Sequence, residues 1–157
     1  DRFSIWQGAV SVIAKYPWLG TGPGTFGHAF LAVRPTGYHA RPEFAHSDHL
    51  QLISDCGWPA FITVAAMFIT LLVSGYRIIH QDDSRLRIGV GAGCLGALVS
   101  IVVHSLIDFN FHIPANWLWV SVVAGLLVSL DEKHIARRRA VGIFVGTMFL
   151  FLPLSFY

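Results

Sequence analysis

The spacing of apolar and polar positions changes character near Trp58. Before it, residues 3–16 place Phe3, Trp6, Val10 and Ile13 on one helical stripe and Ile5, Ala9, Val12 and Tyr16 beside it, leaving Ser4, Gln7, Ser11 and Lys15 opposite. This predicts a broadly amphipathic helix ending at Pro17, which lacks a backbone donor and disfavours helix at the residue before it. An irregular turn through Gly20, Gly22, Pro23 and Gly24 follows. From Trp58 onward the apolar residues run on without a polar face. A bilayer core of about 30 Å takes roughly 20 apolar residues in a helix. Four runs bounded by charge fit that scale: 58–76, 88–107, 115–130 and 140–157. The third is short, and with Trp117 and Trp119 suited to an interface it is open to two readings, a tilted shallow helix or a re-entrant hairpin.

Composition agrees with the pattern. Over 157 residues the mean hydropathy is +0.59 and only 13% of residues are charged, which suits a membrane better than water. The expected fold is an all-α membrane protein, a polytopic helical bundle with about four transmembrane helices in 58–157. Residues 1–57 form an extracytoplasmic segment carrying the amphipathic helix and a loop. The chain opens on Asp1 with no signal-peptide pattern and reads as a fragment of a larger membrane domain. Cys56 and Cys94 lie in or beside apolar runs without CxxC spacing and suggest neither a metal site nor a disulfide framework. The formal charge of +2 comes from separate clusters without aromatic interleaving, which argues against a nucleic-acid partner.

The distribution of charge orients the spans. Arg77, Arg85 and Arg87 lie between the first and second, and Lys133, Arg137, Arg138 and Arg139 between the third and fourth. The loop from Asp108 to Pro114 has no Lys or Arg, so the positive-inside rule makes both basic loops cytoplasmic. Residues before Trp58 and the Asp108 to Pro114 loop then share the outer side. Arg2, Lys15, Arg34 and Arg41 in the outer segment vote the other way, but longer segments count for less in that rule.

Two polar clusters fall on that side. In EFAHSDHLQLISD, Glu43 to Asp55, a helix starting near Ser47 sets His46 at its edge with Asp48 and His49 close by. In HSLIDFNFH, His104 and Asp108 are four apart and are expected to share a helical face, with Asn110 and His112 following. An ionised side chain costs about 2.5 to 3.5 kcal/mol at mid-bilayer, so these groups belong near an interface, in a pair or facing a wet cavity. Two readings stand for His104 and Asp108: a hydrogen-bonded pair fixing one helix to another, or part of a functional site. For His46 they are a helix cap or interfacial histidine, and catalysis. His46, His49, His104 and Asp108 could also supply four zinc ligands, although no metalloenzyme motif such as HExxH accompanies them. The Gly20 to Gly24 turn lacks the P-loop pattern and reads as turn geometry.

RFSIW (Arg2 to Trp6), YPWLGTGPGTF (Tyr16 to Phe26) and AHSDHLQLISDCG (Ala45 to Gly57), in this order and spacing, resemble the O-antigen ligase and polysaccharide polymerase superfamily. Its pattern is an Arg closely followed by Trp, a Pro-x-x-Gly-x-Gly turn, then His-Asn-x-aromatic-Leu ahead of a glycine and a membrane helix. HSLIDFNFHIPAN, His104 to Asn116, is similar to a stretch that follows this pattern in many members. Ser47 stands where the family usually has Asn, and His49 where an aromatic is common, which leaves subgroup and acceptor preference open.

The resemblance implies a GT-C-like enzyme of lipopolysaccharide or related polysaccharide biosynthesis in the bacterial inner membrane, with its active site facing the periplasm. It would pass a glycan with inversion from an undecaprenyl diphosphate carrier to a hydroxyl on lipid A core, another glycan or a protein, using no cofactor and no metal. Arg2, at the family's arginine, would grip the diphosphate, with Arg34 and Arg41 as further substrate-binding candidates. His46, at the family's histidine, would be general base on the acceptor or hydrogen-bond donor to the diphosphate. Asp48, His49, His104 and Asp108 would bind sugar hydroxyls or orient His46. The family's second arginine lies outside this stretch, so the fragment by itself is expected to be inactive. Two other classes remain: a transporter with a polar path through His104, Asp108 and His112, and a non-catalytic scaffold of a glycan-assembly complex.

Overall fold

The computed structural model describes residues 2–131. Its elements are α1 (Arg2–Lys15), α2 (Phe26–Leu31), α3 (Asp48–Gln81), α4 (Arg85–His104), a 3-10 turn (Asn110–His112) and α5 (Pro114–Leu130). No strand occurs among the described residues. The described residues fall into two compact units, 2–64 with 104–112, and 65–103 with 113–131.

In the first unit α1 forms where the periodicity predicts, but its buried face is turned from the leading stripe. Ile5, Gly8, Ala9, Val12 and Ile13 are buried, while Phe3 and Val10 are 74% and 56% exposed. Small residues decide the face: a Cβ on Gly8 would lie 2.2 Å from the Phe30 ring, so α2 approaches α1 only where side chains are missing. Ile5, Ala9, Phe26, Phe30 and Ala45 make the core, with Tyr38 and Leu50 packed on it.

α3 is two helices joined at a break. Gly57 has φ 78°, and Pro59 follows inside the helix. Pro59 has no N–H, so the Asp55 carbonyl loses its helical donor, and the Gly22 N–H donates to it instead at 2.9 Å. Trp58 N–H turns away to the Pro17 carbonyl at 2.9 Å, and Thr21 N–H takes the freed Ser54 carbonyl at 2.9 Å. The glycine turn is thus stitched to the break. Contact is close enough that a Cβ on Gly57 would meet the Trp18 carbonyl at 2.2 Å, and one on Gly20 the Asp55 backbone at 2.3 Å.

In the second unit, the later part of α3 packs with α4 and α5 around Phe68, Leu71, Ile78, Cys94, Leu98, Val120, Ala124 and Leu127. Gly75 faces Leu95 and Leu127, and Gly91 faces Ile78, the small-residue contacts that let apolar helices approach without a solvent-driven force. α3 and α4 are long and apolar enough to cross a membrane, whereas α5, with 17 residues, is a shorter apolar helix. The expected 58–76 span lies within α3, which runs on to Gln81. The expected 88–107 span is α4, which begins at Arg85 and stops at His104. The expected 115–130 span is α5, opened by Pro114 in the first helical turn, where a missing N–H leaves no bond unmade. The 140–157 run lies outside the described residues. At the α3–α4 loop, Asp82 accepts from Ser84 N–H at 3.0 Å and pairs with Arg87 at 2.8 Å. Arg87 also donates to the Leu130 carbonyl. A cavity of about 350 Å³ opens there, lined by Arg77, Asp82, Arg87 and Asp131 among others, and it contains none of the candidate site residues.

Candidate functional site

The site is built where the stretch before α3 meets residues 104–112, both within the first unit. Ser47 accepts the first helical bond of α3, from Gln51 N–H at 2.9 Å. The Asp48 N–H, an orphan donor of the first turn, is shared between the Ser105 and Asp108 carbonyls at 3.0 and 3.2 Å. Asp48 also accepts from Phe111 N–H through Oδ2 at 3.1 Å. Its Oδ1 faces His112 Nδ1 at 3.4 Å, a contact that makes no hydrogen bond for either atom. The His49 Nδ1 is 3.1 Å from the Ser105 carbonyl, which can only accept, so the proton sits on Nδ1. Asp48 and His49 therefore fasten α3 to the 104–112 stretch.

Those same bonds end α4. With the Ser105 and Asp108 carbonyls drawn to Asp48, Ile107 N–H turns back to the His104 carbonyl at 3.1 Å and Asp108 Oδ1 accepts the next N–H, from Phe109, at 2.9 Å. The helix stops at His104, so the expected shared helical face of His104 and Asp108 does not form. His104 is exposed and Asp108 half-buried. Arg2 reaches the same stretch from α1, its Nη1 donating to the Ile107 carbonyl at 3.0 Å.

His46 sits against Phe109, ring centroids 5.2 Å apart. Phe109 stacks on Phe44 at 5.6 Å and 20°, and the His112 ring meets Phe44 at 4.6 Å. His46 has φ 52°, and among the described residues it is the one non-glycine with positive φ. A side chain rarely adopts that conformation unless its surroundings impose it, and such strain clusters at functional sites. The His46 Nδ1 is buried without a hydrogen-bond partner.

Arg34 and Arg41 bond elsewhere: Arg34 donates to the His39 carbonyl at 3.4 Å, and Arg41 lies 3.0 Å from the His28 ring nitrogen Nε2. The zinc ligand set does not assemble, since no three His, Cys, Asp or Glu side chains are grouped to hold a metal among the described residues. Sequence reasoning missed Gln51 and Asp55, which are 5% and 7% exposed. Burial pushes the Asp55 carboxyl above the usual carboxylate range, opposed by hydrogen bonds from Gln51 and the Gly24 N–H and by the nearby His112. Burial, with Asp55 beside it, also raises the Cys56 thiol. The one signal for Gln51 and Asp55 was their i, i+4 spacing, ordinary in any helix.

Membrane-length apolar helices joined in one chain to a cluster of arginine, histidine and carboxylate define a class: a helical membrane protein with a polar site on a capped helix end. Residues 1–65 match the family model described as O-antigen ligase, which supports assigning the chain to an O-antigen ligase-like family. That match covers less than half of the chain and suggests, at family level, glycosyl transfer of the O-antigen ligase or polymerase type. The match takes in Arg2, Arg34, Arg41, His46, Asp48 and His49 and stops before His104 and Asp108. No curated protein and no solved structure matches the chain.

Proposed function

We propose that the chain is part of a GT-C-like inverting glycosyltransferase of the bacterial inner membrane, with its site on the periplasmic face. It transfers a glycan from an undecaprenyl diphosphate carrier to an acceptor hydroxyl. The observation that carries this reading is the meeting of Arg2 and the strained His46 with one stretch, Arg2 through Ile107 and His46 through Phe109. In the reaction the acceptor oxygen attacks the anomeric carbon while that carbon's bond to the diphosphate oxygen breaks, and the lipid diphosphate leaves with the electron pair. Arg2 is exposed and its guanidinium carries five N–H donors in a planar fork, so beyond Ile107 it can grip phosphate oxygens as charge develops. His46 either takes the hydroxyl proton or donates a hydrogen bond to the diphosphate, which then takes the proton itself. In this reading Asp48, His49 and Asp108 hold the frame, and the exposed His104, Arg34 and Arg41 are the further substrate-binding residues.

His46→Ala and Arg2→Ala in the full-length parent protein, at matched membrane levels, are expected to cut transfer from an undecaprenyl diphosphate-linked glycan by about 10²- to 10⁴-fold. Unimpaired transfer in either variant removes that residue from the site. His46→Gln separates the two roles of the ring, because an amide can donate a hydrogen bond but takes no proton near neutral pH.

A further inference from the structure

Nothing in the local sequence explains why His46 adopts a left-handed backbone, so the cause must lie in what grips its neighbours. The residue before it, Ala45, is fully buried, and its N–H donates to Gln51 Oε1 at 2.7 Å. The same Gln51 amide donates through Nε2 to Asp55 Oδ2 at 2.9 Å, and Asp55 Oδ2 also accepts the Gly24 N–H at 3.2 Å. The order of these bonds fixes the amide. The Ala45 N–H can only donate, so the Gln51 oxygen must face it, and the NH2 is left for Asp55. Reversing the amide would oppose oxygen to carboxylate and NH2 to N–H. All these groups lie in the first unit, and the side-chain bonds of Gln51 and Asp55 go to one another, to Ala45 and to the backbone of Gly24 and Phe26 rather than to the His46 ring or Arg2.

We infer that Gln51 and Asp55 form a strut, seated on the glycine turn at Gly24, that holds Ala45 and through it sets the left-handed backbone and ring position of His46. They are positioning residues for the histidine, and the inference rests on the proposed role of His46 in transfer. The break in α3 reinforces the strut. The break at Gly57 lets Gly22 take the Asp55 carbonyl, so the glycine turn is held against Asp55 by backbone as well as by side chain.

The substitution Gln51→Glu tests this with a readout that general loss of packing does not give. When protonated, the introduced carboxyl would donate its O–H to Asp55 and keep its other oxygen for Ala45 N–H; when ionised, it would set two carboxylates against each other and push the strut apart. The other titratable groups acting on Asp55 are His112 and Cys56, which both proteins share. Transfer by full-length Gln51→Glu, divided by wild-type transfer at each pH, is expected to be near one at about pH 5 and to fall about tenfold by pH 8. Gln51→Ala is expected to lose at least about tenfold across the range at normal membrane levels. A flat ratio for Gln51→Glu, full transfer by Gln51→Ala, or failure of Gln51→Glu to accumulate at all would overturn the strut. His46→Ala run alongside keeps the two readings apart: if it transfers normally the proposed role of His46 fails, and if it is inactive while the Gln51→Glu ratio stays flat only the strut fails.

Discussion

His46 concentrates the local physics of the site. A residue with a Cβ at φ 52° carries strain that glycine would not. His46→Gly is therefore expected to melt later than His46→Ala, by about 1 kcal/mol, in thermal unfolding of the detergent-solubilised full-length protein. Equal midpoints would mean that the backbone at 46 relaxes once the ring is gone. The resemblance pointed to this histidine by its place in a motif. Its conformation was not legible, because Ala45-His46-Ser47 contains no turn signal and the force that sets it comes from Gln51, six residues on from Ala45. Asp55 was less visible still: its partner Gly24 is 31 residues away.

At the scale of elements, the break in α3 is the feature on which the first unit turns. Gly57 and Pro59 announced a disturbance in an otherwise apolar helix; which donors would take the orphaned carbonyls did not follow from them. Gly57→Ala combines a forbidden backbone angle with a Cβ 2.2 Å from the Trp18 carbonyl, and is expected to destabilise by more than about 2 kcal/mol. Gly24→Ala has φ 71° but open space around the new methyl, and is expected to cost only about 1 kcal/mol. Paired thermal melts check the contrast, and comparable losses would show that backbone strain rather than close approach governs the turn. The early end of α4 has the same kind of origin. Residues 105–107 continue the apolar pattern of a helix, yet Ser105 gives its carbonyl to Asp48 and His49, and Ile107 gives its carbonyl to Arg2. Tertiary bonds override local propensity there.

At the scale of the whole chain, the testable matter is sidedness. In the proposed function, basic loops that alternate with a loop free of Lys and Arg would put the segment before Trp58 and the Asp108 to Pro114 loop on the outer side. In a full-length protein with Cys56 and Cys94 replaced by serine, a cysteine at His39 is expected to react with a membrane-impermeant maleimide in intact spheroplasts. A cysteine at Asp83 is expected to react only after permeabilisation. Both positions are exposed, so access by the reagent depends on the membrane alone. The reverse labelling would move the site to the cytoplasm and exclude a periplasmic transfer reaction.

The sequence by itself determined that the chain is helical with membrane-length apolar segments, where α1 and α5 fall, and which short motifs are candidates for chemistry. Those properties follow from composition, from apolar run lengths and from residue types whose chemistry is local. Tertiary structure decided which face of α1 is buried, since that depended on Gly8 meeting Phe30 of another helix. It also decided where α4 stops and why His46 is strained, since backbone carbonyls and N–H groups carry no side-chain signature and choose partners only when segments distant in sequence are brought together.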